Sequence, residues 1–249
     1  MALKEELKEQ GDWLFKHRSF LPIIIIIIGT ISLLYTRSFD PSSFPSHPYS
    51  ITCLIISLIG LAIRAHVIGY SADKTSGRNT KEGQVADELN TTGLYSLTRN
   101  PLYLGNFLIW IGITLFISDI ELVAVVVLLF WLYYERIIFA EEQFLKKKFT
   151  SLYTVWALRT PVFLPKFKNY IHPELRFDVQ KVIEQEKNGL LAIFLLFTLL
   201  DNINYLLNSN YEIKEYLVVG CIISIFLYAF IKIYYRLGKL SSKVWLIMQ

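Results

Sequence analysis

Residues 93–105 read Gly-Leu-Tyr-Ser-Leu-Thr-Arg-Asn-Pro-Leu-Tyr-Leu-Gly, and an apolar run follows directly. Pro101 suits the first turn of a helix, where a missing backbone N–H carries no cost. Arg99 is a permanent cation with five donors, and the helix start adds backbone N–H groups without partners. The stretch therefore predicts a polar loop at the mouth of a membrane helix, able to hold an anionic group. The alternative is an arginine whose side chain only extends to the polar membrane interface and binds no ligand.

The composition is that of a membrane protein. Of the 249 residues, 53% are hydrophobic, and the mean hydropathy is +0.42, which is too apolar for an ordinary soluble domain. A net charge of +4 implies no bulk attraction to nucleic acid. The four histidines form no close pair and the two cysteines lie singly in apolar runs, so we expect no metal site.

Six apolar segments organise the chain. They cover residues 21–34, 51–70, 101–117, 122–134, 190–207 and 216–235. The sequence predicts an all-α fold: a polytopic membrane helical bundle with about six transmembrane helices, whose cytoplasmic loops form a cofactor pocket. Only residues 118–121 separate the third and fourth segments, so these two helices should form an antiparallel hairpin.

Basic residues favour one orientation. With both termini in the cytoplasm, 22 of the 25 lysines and arginines lie in cytoplasmic regions. Such a bias supports both the number of spans and their direction. In this orientation Arg99 and the Glu141–Glu142 pair lie on the same side of the membrane. If the protein is bacterial, we expect it in the plasma (inner) membrane.

Three regions are expected along the chain. Residues 1–49 hold an amphipathic segment and the first membrane helix, 50–165 form the core, and 166–249 add a linker and an extra helical pair. The connection 71–92 is polar and long for a structureless loop, which suggests a lid or a binding loop. The extra helical pair is a candidate for acceptor selection or homodimer formation.

A charge cluster at the cytoplasmic mouth of a helix hairpin suits an enzyme that joins a water-soluble donor to a lipophilic acceptor. Arg99 lies at the start of the third segment, and Glu141 and Glu142 follow the fourth. The hairpin brings these positions to the same membrane face. The alternative is that the glutamates, with Lys146, Lys147 and Lys148, form only a solvated helix face.

Two groups of residues resemble the isoprenylcysteine carboxyl methyltransferase and phospholipid methyltransferase family. The family pattern is Gly-x-Tyr followed by Arg-His-Pro-x-Tyr-x-Gly, then a Glu-Glu-x-x-Leu-x-x-x-Phe-Gly-x-x-Tyr block and a closing Arg-Val-Pro. The matching residues here are Gly93, Tyr95, Arg99, Pro101, Tyr103 and Gly105, then Glu141, Glu142, Leu145, Phe149, Tyr153, Arg159, Pro161 and Pro165. The resemblance covers roughly residues 50–165.

The chain departs from that pattern at four positions. Asn100 replaces the usual histidine, Thr150 stands where glycine is expected, Trp156 where tyrosine is common, and Thr160 where valine is common. Asn100 can donate and accept hydrogen bonds, but it cannot act as a cation or a titrating base near neutral pH.

The resemblance implies methyl transfer from S-adenosylmethionine to a lipophilic acceptor such as an isoprenylcysteine-type carboxylate or a phospholipid amine. The family's catalytic positions map to Arg99, Asn100 and Arg159, with Arg159 set to pair with an anionic acceptor head group. The positions for the methyl donor map to Gly93, Tyr95, Arg99, Pro101, Tyr103, Gly105, Glu141, Glu142 and Tyr153. No metal is implied.

Two other classes of function stay open. Membrane reductases of the sterol-reductase type carry a related Arg-x-Pro-x-Tyr stretch and use a nicotinamide cofactor. Leu102 stands where asparagine would be expected in that class, and the Glu141–Glu142 block favours methyl transfer. The other class is a non-catalytic membrane scaffold. The residues do not name the methyl acceptor.

Overall fold

The fold is known from a computed structural model, which describes residues 2–39, 44–72, 84, 86–208 and 211–247. Side chains at 37–39 and 238–247 are not described. Much of the predicted lid loop, including Gly77, Arg78, Asn79 and Gly83, lies outside the described residues.

Seven α-helices account for most of the described chain. They are α1 (Leu3–Lys16), α2 (Phe20–Phe39), α3 (His47–Tyr70), α4 (Pro101–Phe116), α5 (Ile120–Arg159), α6 (Val179–Leu207) and α7 (Glu215–Ile247). Two short 3-10 turns, Leu94–Ser96 and Phe167–Asn169, flank the candidate site. The described residues contain no β-strand beyond one isolated bridge between Gly93 and Ile171.

Each of the six predicted apolar segments is helical, and the all-α polytopic bundle is confirmed. Four helices, α3, α5, α6 and α7, are individually long and apolar enough to cross a membrane. A fifth candidate is α2 taken together with α1, with a bend of 78° between them. The sixth segment is α4, an apolar helix of only 16 residues. The direction of the chain through the membrane stays a prediction.

Helix starts follow the local chemistry. Pro101 is the first residue of α4, as predicted. Asp119 caps α5 by accepting a hydrogen bond from the Leu122 backbone N–H at 3.0 Å. Asp178 does the same for α6, where its carboxylate accepts from Lys181 N at 2.9 Å. The first turn of a helix has backbone N–H groups without partners. At α4 the proline has no such group, and at α5 and α6 an aspartate accepts a hydrogen bond from one of them.

Close packing of α3 on α4 depends on small residues. A Cβ added to Gly105 would lie 2.7 Å from the Gly60 carbonyl oxygen, and one added to Gly112 would lie 2.5 Å from the Cys53 carbonyl oxygen. Glycines at these positions let two membrane helices approach backbone to backbone. This contact fixes where the start of α4 sits relative to the end of α3.

The predicted hairpin of α4 and α5 is confirmed. Phe107 packs on Phe130 with ring centroids 5.1 Å apart, and one turn earlier Tyr103 packs on Tyr134 at 4.6 Å. Residue numbers rise along α4 while those of their partners fall along α5, as expected for antiparallel helices. The hairpin therefore carries Glu141 back to the level at which α4 begins.

Candidate functional site

The loop before α4 is held by the segment that follows α5. Arg99 N donates to the Pro161 carbonyl at 2.9 Å, and Asn100 Nδ2 donates to the Val162 carbonyl at 2.9 Å. The two motif groups, far apart in sequence, are thus joined by backbone and amide hydrogen bonds. In this arrangement the Asn100 side chain links the two halves.

The linker beyond residue 165 also lines this loop. Gly93 N donates to the Ile171 carbonyl at 2.8 Å, while Ile171 N donates to Ser96 Oγ at 2.9 Å. Gly93 has a φ of 61°, in the left-handed region that side-chain-bearing residues rarely adopt. A glycine is needed here because the chain must turn sharply to present its N–H to the linker.

Arg99 and Glu142 form the centre of the site. Arg99 Nε lies 3.1 Å from Glu142 Oε1, and the two side chains are only 16% and 25% exposed. The Tyr153 hydroxyl faces the same carboxylate. Among the described residues, Arg99 Nε, Glu142 Oε1 and Tyr153 Oη are buried without a hydrogen bond of good geometry. Three polar atoms that face one another without well-formed hydrogen bonds fit a site for a polar ligand, because imperfect pairing of buried polar groups is costly.

A kink in α5 makes this meeting possible. Glu142 and Tyr153 would stand about 16 Å apart along a straight helix. Thr150 interrupts the helix with φ 46° and ψ −111°, and the chain beyond it turns back toward the loop before α4. Trp156 Nε1 then donates to the Tyr95 carbonyl at 3.1 Å. The left-handed φ explains why glycine is expected at this position in the pattern of the resembling family.

Glu141 lies beside this centre on the α4 side. Tyr103 Oη donates to Glu141 Oε2 at 2.8 Å. Burial raises the pKa of Tyr95, and the nearby Glu141 carboxylate raises it further, so Tyr95 stays a neutral hydroxyl. Arg18, in the bend between α1 and α2, interacts electrostatically with Glu141. Two carboxylates, two arginines and three tyrosines thus converge on one region.

The remaining predicted site residues lie in different surroundings. Pro101 is buried at the start of α4, and Gly105 faces Arg64 and Gly60 across the α3–α4 contact. Arg159 is exposed at the end of α5, and its carbonyl accepts a hydrogen bond from Asn169 Nδ2 at 2.6 Å. No contact among the described residues joins the Arg159 guanidinium to the Arg99–Glu142 pair.

Sequence reasoning missed two contributors, Arg18 and Trp156. Arg18 counted only toward the orientation of the chain, and Trp156 only as a departure from a pattern. A signal for Arg18 was its place at the end of an amphipathic helix that must lie against the bundle. Nothing in the sequence indicated which part of α5 that helix would contact.

The arrangement can bind a polar molecule that carries both charges. Buried carboxylates accept from ammonium or hydroxyl groups, and a guanidinium holds a carboxylate in a fork. Tyrosine rings provide flat apolar surface for a planar base. All of these groups sit at the ends of apolar helices.

Comparison with known proteins agrees with this chemistry. Residues 51–151 match the family described as phospholipid methyltransferase. Over that segment, the match confirms the resemblance inferred from the two motif groups. It supports methyltransferase activity as a class and, with the apolar helices, an integral membrane protein.

Two curated relatives are similar over a longer stretch. The chain is 29% identical over 155 residues to the nickel-cobalt-cadmium resistance protein NccN of Alcaligenes xylosoxydans xylosoxydans, covering 62% of this chain and 68% of the relative. It is 29% identical over 161 residues to the cobalt-zinc-cadmium resistance protein CzcN of Cupriavidus metallidurans, covering 64% and 68%. No solved structure matches the chain. Within the described part of the chain, no group of three or more His, Cys, Asp or Glu side chains could hold a metal ion.

Proposed function

We propose that the protein transfers a methyl group from S-adenosylmethionine to a lipophilic or amphipathic acceptor at the cytoplasmic face of the membrane. The single observation that carries this proposal is the largely buried Arg99–Glu142 pair, whose facing atoms Nε and Oε1 lie 3.1 Å apart without a hydrogen bond of good geometry. The methyltransferase family matched by residues 51–151 supports the reaction class.

The residues present fit such a donor, which carries an ammonium, a carboxylate, ribose hydroxyls and a planar base. Glu141 and Glu142 would accept from the ammonium or the hydroxyls. Arg99 would hold the carboxylate. A ligand with both charges would separate Arg99 from Glu142. The one ion pair between them would be replaced by two, one from each side chain to the ligand.

When bound, S-adenosylmethionine supplies an activated methyl group on a positively charged sulfur. The part left to the protein is alignment of the two reactants and exclusion of water. Tyr103 and Tyr153 would pack against the adenine or line its pocket, and Asn100 holds the loop before α4 against the segment after α5. The kink at Thr150 brings Tyr153 over Glu142.

The acceptor is proposed to be a lipid with a nucleophilic head group, either a carboxylate or a phospholipid amine. Arg159 is exposed beside the site, where it can pair with an anionic head group without entering the buried centre. A carboxylate acceptor needs no general base, whereas an amine must first lose a proton. Homodimer formation through the C-terminal helices stays a prediction.

Ligand binding to the purified full-length protein tests the proposal. We expect S-adenosylhomocysteine to bind in isothermal titration calorimetry and NADPH not to bind. Glu142→Gln and Arg99→Ala should each weaken binding at least tenfold, because each removes one charge from the ligand's polar end. Glu135→Gln is the matched control, since Glu135 is exposed on the same helix.

Binding of NADPH instead, or wild-type affinity in both site variants, would contradict the proposal. The acceptor is then identified by incubating the protein with radiolabelled S-adenosylmethionine and a membrane lipid extract. Label in a lipid product that is absent with Glu142→Gln supports methyl transfer. Label that does not depend on the protein argues against it.

A further inference from the structure

A buried ion pair joins the C-terminal helical pair to the core. Arg64 on α3 donates from Nε to Glu186 Oε2 at 3.0 Å and from Nη2 to Glu186 Oε1 at 2.7 Å. The Glu186 side chain on α6 is 7% exposed and that of Arg64 is 25% exposed. Two parallel hydrogen bonds fix the plane of the guanidinium as well as its position.

The remaining guanidinium nitrogen of Arg64 contacts α4. Arg64 Nη1 donates to Asn106 Oδ1 at 2.6 Å. The amide nitrogen of the same Asn106 donates to Tyr134 Oη on α5 at 3.2 Å. Because Arg64 fixes which atom of the amide accepts, it also fixes which one is left to donate to Tyr134.

Tyr134 in turn contacts the candidate site. Its ring lies 4.6 Å from the ring of Tyr103, centroid to centroid. Tyr103 Oη donates to Glu141 Oε2 at 2.8 Å. An unbroken series of contacts therefore runs from α6 through α3, α4 and α5 to a carboxylate of the site.

Two glycines leave space for this series. A Cβ on Gly105 would lie 2.6 Å from Arg64 Cγ, and a Cβ on Gly189 would lie 3.1 Å from Glu186 Oε2. Gly105 belongs to the motif that follows Pro101. Its lack of a side chain lets Arg64 pass between α3 and α4 to reach both of its partners.

We propose that Glu186 is a positioning residue of the candidate site, acting through Arg64, Asn106 and Tyr134 on Tyr103. The part that concerns the methyl donor rests on the function proposed above. Glu186 lies outside residues 51–151, the segment that matches the methyltransferase family. The C-terminal helical pair of this chain thus contributes to the geometry of the site.

The experiment reports on Tyr103 directly. Full-length protein in detergent micelles carries 3-fluorotyrosine at position 103, and its ¹⁹F NMR resonance is compared among variants. Glu186→Gln keeps the shape of the side chain but removes the charge that orients Arg64, so the Tyr103 resonance should shift. Glu184→Gln, an exposed position two residues away on α6, should leave the resonance unchanged.

The affinity for S-adenosylhomocysteine is a second measurement of the same effect. We expect Glu186→Gln to weaken S-adenosylhomocysteine binding about tenfold, and this loss should disappear when Tyr103 is replaced by phenylalanine in both proteins. A purely structural pair would lower the melting temperature but leave the Tyr103 resonance where it is. An unshifted resonance in folded Glu186→Gln overturns the proposal.

Two further outcomes are distinguishable. If Glu186→Gln does not fold, Glu186→Asp keeps the charge with a shorter reach and should shift the resonance in the same manner; an unshifted resonance there also overturns the proposal. If the wild-type resonance does not respond to S-adenosylhomocysteine, the proposed function fails. The comparison of Glu186→Gln with Glu184→Gln still decides the positioning role.

Discussion

Two ion pairs in this protein have the same separation and opposite surroundings. Arg99 and Glu142 meet at 3.1 Å beside the loop before α4, and Lys214 and Asp201 meet at 3.1 Å at the connection between α6 and α7. The Asp201 carboxylate also accepts from Tyr211 Oη at 2.5 Å and from Lys214 N at 2.8 Å. At the Arg99–Glu142 pair, Arg99 Nε, Glu142 Oε1 and the nearby Tyr153 Oη make no hydrogen bond of such good geometry.

The difference separates a structural ion pair from a binding site. A buried charge is tolerated when its hydrogen bonds are satisfied, and Asp201 and Lys214 are 0% and 1% exposed with that condition met. Arg99 Nε, Glu142 Oε1 and Tyr153 Oη lack well-formed hydrogen bonds, which raises the energy of the free protein. A ligand that pairs with them recovers that energy, so we expect the Asp201–Lys214 pair to govern stability and the Arg99–Glu142 pair to govern binding.

The largest expected effect is on the saturated pair. Asp201→Ala leaves the Lys214 ammonium buried without its counter-charge, which should lower the free energy of unfolding by about 3–5 kcal/mol. Thermal unfolding in detergent, followed by size-exclusion fluorescence, measures the loss. Glu212→Gln, an exposed acidic residue in the same connection, is the control and should unfold like the wild type.

Protein that remains folded should bind S-adenosylhomocysteine with wild-type affinity. Equal stability of Asp201→Ala and Glu212→Gln would show that the saturated pair is dispensable. Loss of affinity in the folded fraction would show that the two regions are coupled. Either result would contradict the assignment of stability to one ion pair and of binding to the other.

Two matched tyrosine substitutions test the difference between the two ion pairs more closely. Tyr211→Phe removes a hydrogen bond to Asp201 and should lower stability by about 1.5–3 kcal/mol, the usual contribution of a hydrogen bond to a charged group, without changing ligand affinity. Tyr153→Phe removes a hydroxyl that faces Glu142 without a well-formed hydrogen bond, so stability should hardly change. Affinity for S-adenosylhomocysteine should fall about tenfold. The same two measurements on both variants test this opposition, and effects of equal kind in the two proteins would refute it.

The smallest expected effect concerns strain in the site region. Thr150 has φ 46° within α5, and a β-branched residue is disfavoured there. Thr150→Gly should raise the free energy of unfolding by about 1 kcal/mol and preserve ligand affinity, because the kink is kept. Thr154→Gly, at an exposed helical position four residues on, should instead lower it. Destabilisation by both changes would mean that Thr150 is not strained.

Much of this architecture follows from local pattern. Apolar runs predicted the helices, Pro101 predicted the start of α4, and a four-residue connection predicted the antiparallel hairpin with α5. The motif groups predicted that residues near Arg99 and Glu141–Glu142 belong together. These features depend on neighbours in sequence or on the shortest possible connection between two helices, which is why they can be derived without coordinates.

Other features depend on contacts that no local pattern encodes. Arg64 lies near the end of the second apolar segment, and its guanidinium is paired with Glu186 on α6. Asp201 lies near the end of α6, and its carboxylate accepts from Tyr211 and Lys214 in the interior. In both cases the partner lies on another element, and its distance depends on how glycines such as Gly60 and Gly105 let helices approach.

The sequence by itself determined that this is a helical membrane protein with a methyltransferase-like polar motif at the mouth of a hairpin. Hydrophobic length and turn chemistry suffice for that, because each acts over a few residues. Only the tertiary structure decided that a kink at Thr150 folds Tyr153 over Glu142, and that α6 reaches the site through Arg64. Those outcomes depend on the packing of distant helices, where a shift of an ångström makes or breaks a hydrogen bond.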